Sequence, residues 1–246
     1  MSSASPGAAW QRHELVGEFL HQREAVMPLI DVQEDLVGRI FERHGHPIAR
    51  FLDIGSGDGA MSELLLGLEP EAEAVLVDFS EPMLAGAERR FEGSSRRWQL
   101  VRGDLSESTW PGALPPGRYD AAISAFAIHH LPAERKRALF GELYELMAPG
   151  ALFVNMDYVS VRGPLEGLWD KQIVANAVCA ERERGGGRSE EEIERELLAD
   201  DEDDRPDHAE DQLEWLREAG FEDVELHFKW AEAAVFGGVK LDERNT

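Results

Sequence analysis

The chain has 246 residues, 49 of them acidic and 25 basic, for a formal charge of −24 with histidine neutral. Its length suits one α/β domain, its 43 % hydrophobic content supplies a substantial core, and a single cysteine, Cys179, excludes an internal disulfide framework. The charge disfavours nucleic-acid backbones and anionic lipid as partners, since both require local positive potential.

The first dozen residues are small and polar apart from Trp10, with neither a basic nor an apolar leader segment, and no stretch is greasy enough to span a membrane. A cytoplasmic, soluble protein is the expectation. Residues 14–45 then carry Val26, Leu29, Val37, Ile40 and Phe41 at helical spacing, a helical extension that Pro28 either opens or divides in two. His44-Gly45-His46-Pro47 ends it.

Residues 48–54 predict a first strand, and 74–77, 98–101, 119–125 and 151–156 predict four more. Helices fall between them. Ser80-Glu81-Pro82 offers an N-cap, an acid and a first-turn proline, and Pro132 opens a helix that Pro149-Gly150 closes. Such interleaving implies βαβ units and a doubly wound parallel sheet.

Residues 160–206 predict a helical cap insertion, with a glycine hinge at 185–187 and an acidic amphipathic helix around Ile193, Leu197 and Leu198. Asp207-His208-Ala209-Glu210 has the capping-box pattern, and Gly220 closes the helix that follows. Val224, Leu226, Phe228 and Trp230 alternate with polar residues, and 233–239 returns as an antiparallel partner. The whole of 1–246 reads as one domain.

The most informative segment is Asp53-Ile54-Gly55-Ser56-Gly57-Asp58-Gly59. Glycines between a strand and a helix let the backbone turn sharply and approach a ligand. Asp78 lies 19 residues beyond Gly59 at the next strand's end, where a carboxylate accepts hydrogen bonds from ribose hydroxyls. Asp104 follows the third strand. Three such features at successive carboxyl ends mark the crevice where open α/β sheets bind ligands. The spacing is G-x-G-x-G, no Walker lysine follows, and the acids at 53 and 58 suit a cation better than a pyrophosphate. Asp58 also has the place of a cap for the helix after the loop.

On these residues, with 119–131 and 147–157, the sequence resembles the class I S-adenosylmethionine-dependent methyltransferases. The resemblance implies a Rossmann-like seven-stranded sheet of order 3-2-1-4-5-7-6 with strand seven antiparallel. It implies that Asp53, Gly55, Ser56, Gly57 and Gly59 line the methionine portion of S-adenosylmethionine and that Asp78 holds the ribose. Phe79 and Met83 would flank adenine or sugar, although a methionine on an apolar helix face equally suits core packing. Asp104 and Leu105 would contact adenine, Ser124 and Ala125 would lie beside the sulfonium, and Arg23 would reach the donor's carboxylate.

Methyl transfer from a sulfonium needs alignment, desolvation and, for a weak nucleophile, removal of a proton. His129 and His130 follow the fourth strand and titrate near neutrality, with Asp157 at the end of the fifth to orient an imidazole. The expected function is methylation of a hydroxyl or amine on a small-molecule acceptor. No metal is expected, because adjacent histidines diverge along a regular backbone. Tyr158, Trp169, Trp230, Trp10 and Phe19 are candidates to wall the acceptor pocket. A tRNA-modifying or carboxy-S-adenosylmethionine-related enzyme, a non-catalytic donor-binding protein and a nicotinamide oxidoreductase stay open as alternatives. Oligomeric state is not legible.

Overall fold

The computed structural model describes Gln11, residues 27–198 and residues 204–241. Seven strands, β1 (Arg50–Ile54), β2 (Glu73–Asp78), β3 (Arg97–Arg102), β4 (Tyr119–Ala125), β5 (Met147–Tyr158), β6 (Glu222–Trp230) and β7 (Ala233–Val239), form one sheet of order 3-2-1-4-5-7-6. Pairing is parallel from β3 through β5, and β7 runs antiparallel to both of its neighbours.

Among the described residues seven α-helices accompany the strands: α1 (Ile30–His44), α2 (Ala60–Leu68), α3 (Glu81–Phe91), α4 (Ala133–Leu146), α5 (Leu168–Glu183), α6 (Glu190–Leu197) and α7 (Ala209–Ala219). Period-two geometry sends successive strand residues to opposite faces. Phe51 thus packs with Phe41, Leu65 and Phe91 from α1–α3, whereas Leu52 and Ile54 pack with Leu139, Leu143 and Leu216 from α4 and α7. Both faces are covered, which is why residues 74–77 read as an unbroken apolar run; all four are fully buried.

Several helix ends follow the expected chemistry. Ser80 accepts from the Met83 amide and has Pro82 in the first turn behind it, while Gly45 and Gly220 close α1 and α7 in the left-handed region. Pro28 precedes α1, so 30–44 is one helix; the rest of the expected extension, residues 14–26, lies outside the described residues.

Three local expectations are corrected. Asp207 and Glu210 form no capping box, because α7 begins after His208 without a side-chain cap and Asp207 instead takes the fully buried Lys136 ammonium at 2.6 Å. A buried cation without a partner costs far more than an uncapped helix end. Asp58 does not cap α2, whose N-cap is Gly59; its carboxylate pairs with Arg90. Pro149-Gly150 does not close a helix but lies inside β5, since α4 already ends at Leu146.

Residues 160–198 hold a 3-10 turn at Gly163–Leu165 followed by α5 and α6, with no strand beyond an isolated bridge from Ser160 to His208. Ile193 is buried on one side of α6, and Leu197 and Leu198 pack against the core. A complete capping box does start α6, at Ser189 and Glu192.

Candidate active site

The glycine loop leaves β1 and enters α2 with Gly55 and Gly59 both at positive φ, 63° and 82°. A Cβ at Gly55 would collide with the Ala127 methyl, and one at Gly59 would come within 2.7 Å of Phe91 and 2.9 Å of Leu76. Gly55 therefore sets how closely the β1 and β4 loops approach, and Gly59 how closely α2 packs on the sheet.

Asp78 receives the Gly57 amide on one oxygen and the Ser80 amide on the other, both at 2.8 Å. Its carboxylate thereby clamps the first loop to the end of β2. Burial still dominates and pushes its pKa up to about 6. Asp53, 1 % exposed, accepts from the Ser62 hydroxyl at 2.7 Å, and burial pushes it up to about 7.

These residues share one cleft at the carboxyl ends of the strands. Asp53, Gly55, Ser56, Gly57, Asp78, Phe79, Met83, Asp104, Leu105, Ala125 and His130 all line it. Gly59 does not, and neither does Ser124, whose hydroxyl donates to the Ile54 carbonyl at 2.9 Å and ties β4 to β1. Arg23, Trp10 and Phe19 lie outside the described residues. Asp58, Ala60, Ser80 and Gly103 line the cleft too, as do Ile30, Met61, Ser106, Phe126, Ala127, Leu131 and Met156, which were not named as site residues from the sequence. Those at 126, 127 and 131 sit on the loop after β4, a position the strand pattern already marks; Ile30 and Met61 look like ordinary helix residues.

At the opposite end from Asp78, the chain leaves β4 through Phe126, at φ 50°, into a 3-10 turn at Ile128–His130. This backbone is not regular, and it brings the two adjacent imidazoles to 3.9 Å between centroids. His129 is buried, with Nδ1 at 2.6 Å from Asp157 and its backbone amide donating to the same carboxylate at 3.1 Å. Burial alone lowers the His129 pKa, but Asp157 and Asp204 outweigh it and push it up to about 9. His130 moves the other way, lowered by burial and then by the positive charge on His129. Its ring reaches the cleft, and its Nδ1 lies 2.9 Å from Asp204. Asp204 lies within the predicted cap insertion, residues 160–206, and nothing local distinguished it there.

An aromatic series continues from this point. Phe126 stacks on Trp169 at 6.0 Å, Tyr158 meets Trp169 at 6.3 Å and the His129 ring at 5.9 Å, and Trp230 lies 6.5 Å beyond Trp169. Only Phe126 of these lines the cleft.

The donor set fits a sulfonium nucleoside. Among the described residues the buried Ser56 hydroxyl, in the cleft wall, has no hydrogen-bond partner and is open to a ligand. Asp78 accepts amides on both oxygens and still lines the cleft, where its carboxylate can also accept from a vicinal diol. A cleft walled by Asp53, Asp58, Asp78 and Asp104 suits a cation.

Residues 51–150 match the family described as "Methyltransferase domain". A demethylmenaquinone methyltransferase of Thermus thermophilus is 34 % identical over 109 residues, 44 % of this chain and 47 % of that one. The match thus spans about half the length of that relative. A carboxy-S-adenosyl-L-methionine synthase of Chromohalobacter salexigens is 29 % identical over 203 residues, 79 % of this chain and 70 % of that one. Human N-acetylserotonin methyltransferase, in complex with SAM, shares the fold with a TM-score of 0.65 at 15 % identity, over 98 % of this chain and 61 % of that one.

Proposed function

We propose that this protein is a class I S-adenosylmethionine-dependent methyltransferase that moves a methyl group to a hydroxyl or amine of a small molecule, a reading supported by the match of residues 51–150 to a methyltransferase domain. The observation that carries the reading is a single cleft joining the Asp53–Gly57 loop and Asp78 at one end to His130 at the other. Asp78 holds the ribose, Asp104 and Leu105 receive adenine, and Ser56 and the loop receive the methionine portion. When bound, the donor supplies an already activated methyl on sulfur.

The chain's own work is then alignment, exclusion of water and proton removal. His130 takes the acceptor's proton: it faces the cleft, and its lowered pKa keeps it unprotonated near neutrality. His129 cannot serve in this arrangement, because Asp157 and Asp204 engage its two nitrogens and hold it charged. Asp157 and His129 are positioning residues behind His130, and α5 with the aromatic series closes the acceptor side as a cap.

Assay of hydroxyl- and amine-bearing acceptors with methyl-labelled donor tests the reading. His130→Ala is expected to lower kcat by roughly 10²-fold or more while leaving affinity for S-adenosylhomocysteine unchanged. Unaltered turnover in His129→Ala and His130→Ala together removes base catalysis from the reading.

A second reading follows from the longer of the two sequence matches, in which the chain makes a carboxylated donor from S-adenosylmethionine and transfers no methyl group. The acceptor end speaks against it, since Asp157, Asp170 and Asp204 put negative charge there. Mass spectrometry of the donor pool after turnover separates the two.

A further inference from the structure

We infer that His129, His130 and Asp204 form a binding site for a divalent transition-metal ion, a site independent of the donor. One nitrogen from each imidazole and one Asp204 oxygen lie within 4.8 Å of one another, and among the described residues no other group of three or more such side chains does so. His130 Nδ1 is 2.9 Å and His129 Nε2 is 3.5 Å from the same Asp204 oxygen. Tetrahedral ligands at about 2.0–2.1 Å from an ion stand roughly 3.4 Å from each other, so these spacings need little adjustment.

A second observation points the same way. His129 is backed on its other nitrogen by the fully buried Asp157 at 2.6 Å, and Asp157 is itself held by the Asn155 amide and the Tyr158 backbone N–H. Asp157 keeps the proton on Nδ1, so the ion takes the place of the Nε2 proton between His129 and Asp204, the carboxylate–histidine–metal arrangement that strengthens an imidazole as a ligand. The surroundings are anionic as well. Asp170 feels both Glu232 and Asp204, and Glu232 is 2 % exposed with its oxygens on the Gly167 and Trp169 amides. Two nitrogens and one oxygen select zinc, cobalt or nickel over magnesium or calcium, which prefer all-oxygen sets.

The ion would also fasten residues 204–208 ahead of α7. That segment already touches the site, because the Arg205 amide donates to the His129 carbonyl at 3.0 Å and Lys136 holds the Arg205 carbonyl and the Asp207 carboxylate. Metal and acceptor proton compete for the same imidazoles, so a loaded site slows the transfer proposed above.

The test uses the full chain, stripped with a chelator, without donor or acceptor, so that a failed methyl-transfer assay has no bearing on it. Cobalt(II) titration read by visible absorption, and zinc(II) titration read by calorimetry, are expected to show one ion per chain. Asp204→Asn and His130→Ala should each lose at least tenfold in affinity. Asp157→Asn, which leaves all three ligands in place, should lose about 10–100-fold. Zinc is also expected to slow hydrogen exchange at the Arg205 amide. Far-ultraviolet circular dichroism and the thermal transition, measured on each variant, report whether it is folded. No cobalt band and no zinc heat with the unaltered chain, or undiminished uptake by folded Asp204→Asn, overturns the proposal.

Discussion

Two carboxylates in the cleft wall, Asp53 and Asp78, are kept where the folded chain itself disfavours their charge. Burial raises both, so the folded protein holds these protons more tightly than the unfolded chain does. Stability from such a group is present below the unfolded pKa and is lost as pH rises through the folded one, here through about 6 for Asp78 and about 7 for Asp53. Asp53→Asn keeps an oxygen to accept from Ser62 and removes the buried charge. It is expected to raise Tm by several degrees near pH 8, with the gain shrinking near pH 5, as thermal denaturation at both pH values will show. The role proposed for Asp78 in holding the ribose diol carries the opposite dependence: it needs the carboxylate ionised, so affinity for S-adenosylhomocysteine, followed by calorimetry, should fall about tenfold per pH unit below about 6. The types and spacing of these residues mark them in the sequence. Their partners, Ser62 for Asp53 and the Gly57 amide for Asp78, are nine and twenty-one residues away.

At the scale of elements, the ends of β1, β2 and β4 set the cleft, and the connection between α6 and α7 brings Asp204 to it. Lys136 is the tie that holds this connection to α4, fully buried with its ammonium between the Arg205 carbonyl and Asp207. Removing one partner of such a pair leaves the other uncompensated, so Lys136→Met should cost about 3 kcal/mol. Adding Asp207→Asn should return part of that loss, a coupling that a double-mutant cycle in denaturant measures. The helix-start patterns show both the reach and the limit of local reading. Ser80 caps α3 as its neighbours require, whereas Asp207 has the right spacing for a cap and is claimed by a lysine 71 residues away. The opposite error occurs at His129-His130. A regular backbone would send the two rings apart, and the 3-10 turn that brings them together depends on packing against β5 and on the Asp157 carboxylate that receives the His129 amide.

For the molecule as a whole, the −24 charge divides between a few carboxylates around the cleft and many in contact with solvent. Within 190–204 the acids of α6 lie largely exposed, while Asp204 at the end of that run faces two imidazoles. Negative potential at both the surface and the cleft should prevent retention of tRNA even at low ionic strength; salt-sensitive retention on a filter would contradict this. Among the described residues no helix is long and apolar enough to cross a membrane. The alternation of strands and helices, the antiparallel last strand and the glycine loop with its acids were legible in the sequence, because hydrophobic period, turn residues and short-range spacing are local properties; the strand order was implied by the family resemblance. What only the tertiary structure decided is the His129–His130 end of the cleft. The opposite electrostatics of the two imidazoles, the arrival of Asp204, and the diversion of Asp207 to Lys136 depend on charges brought together from distant segments. Their energies come from burial and from mutual distance, and neither is written in the order of residues along the chain.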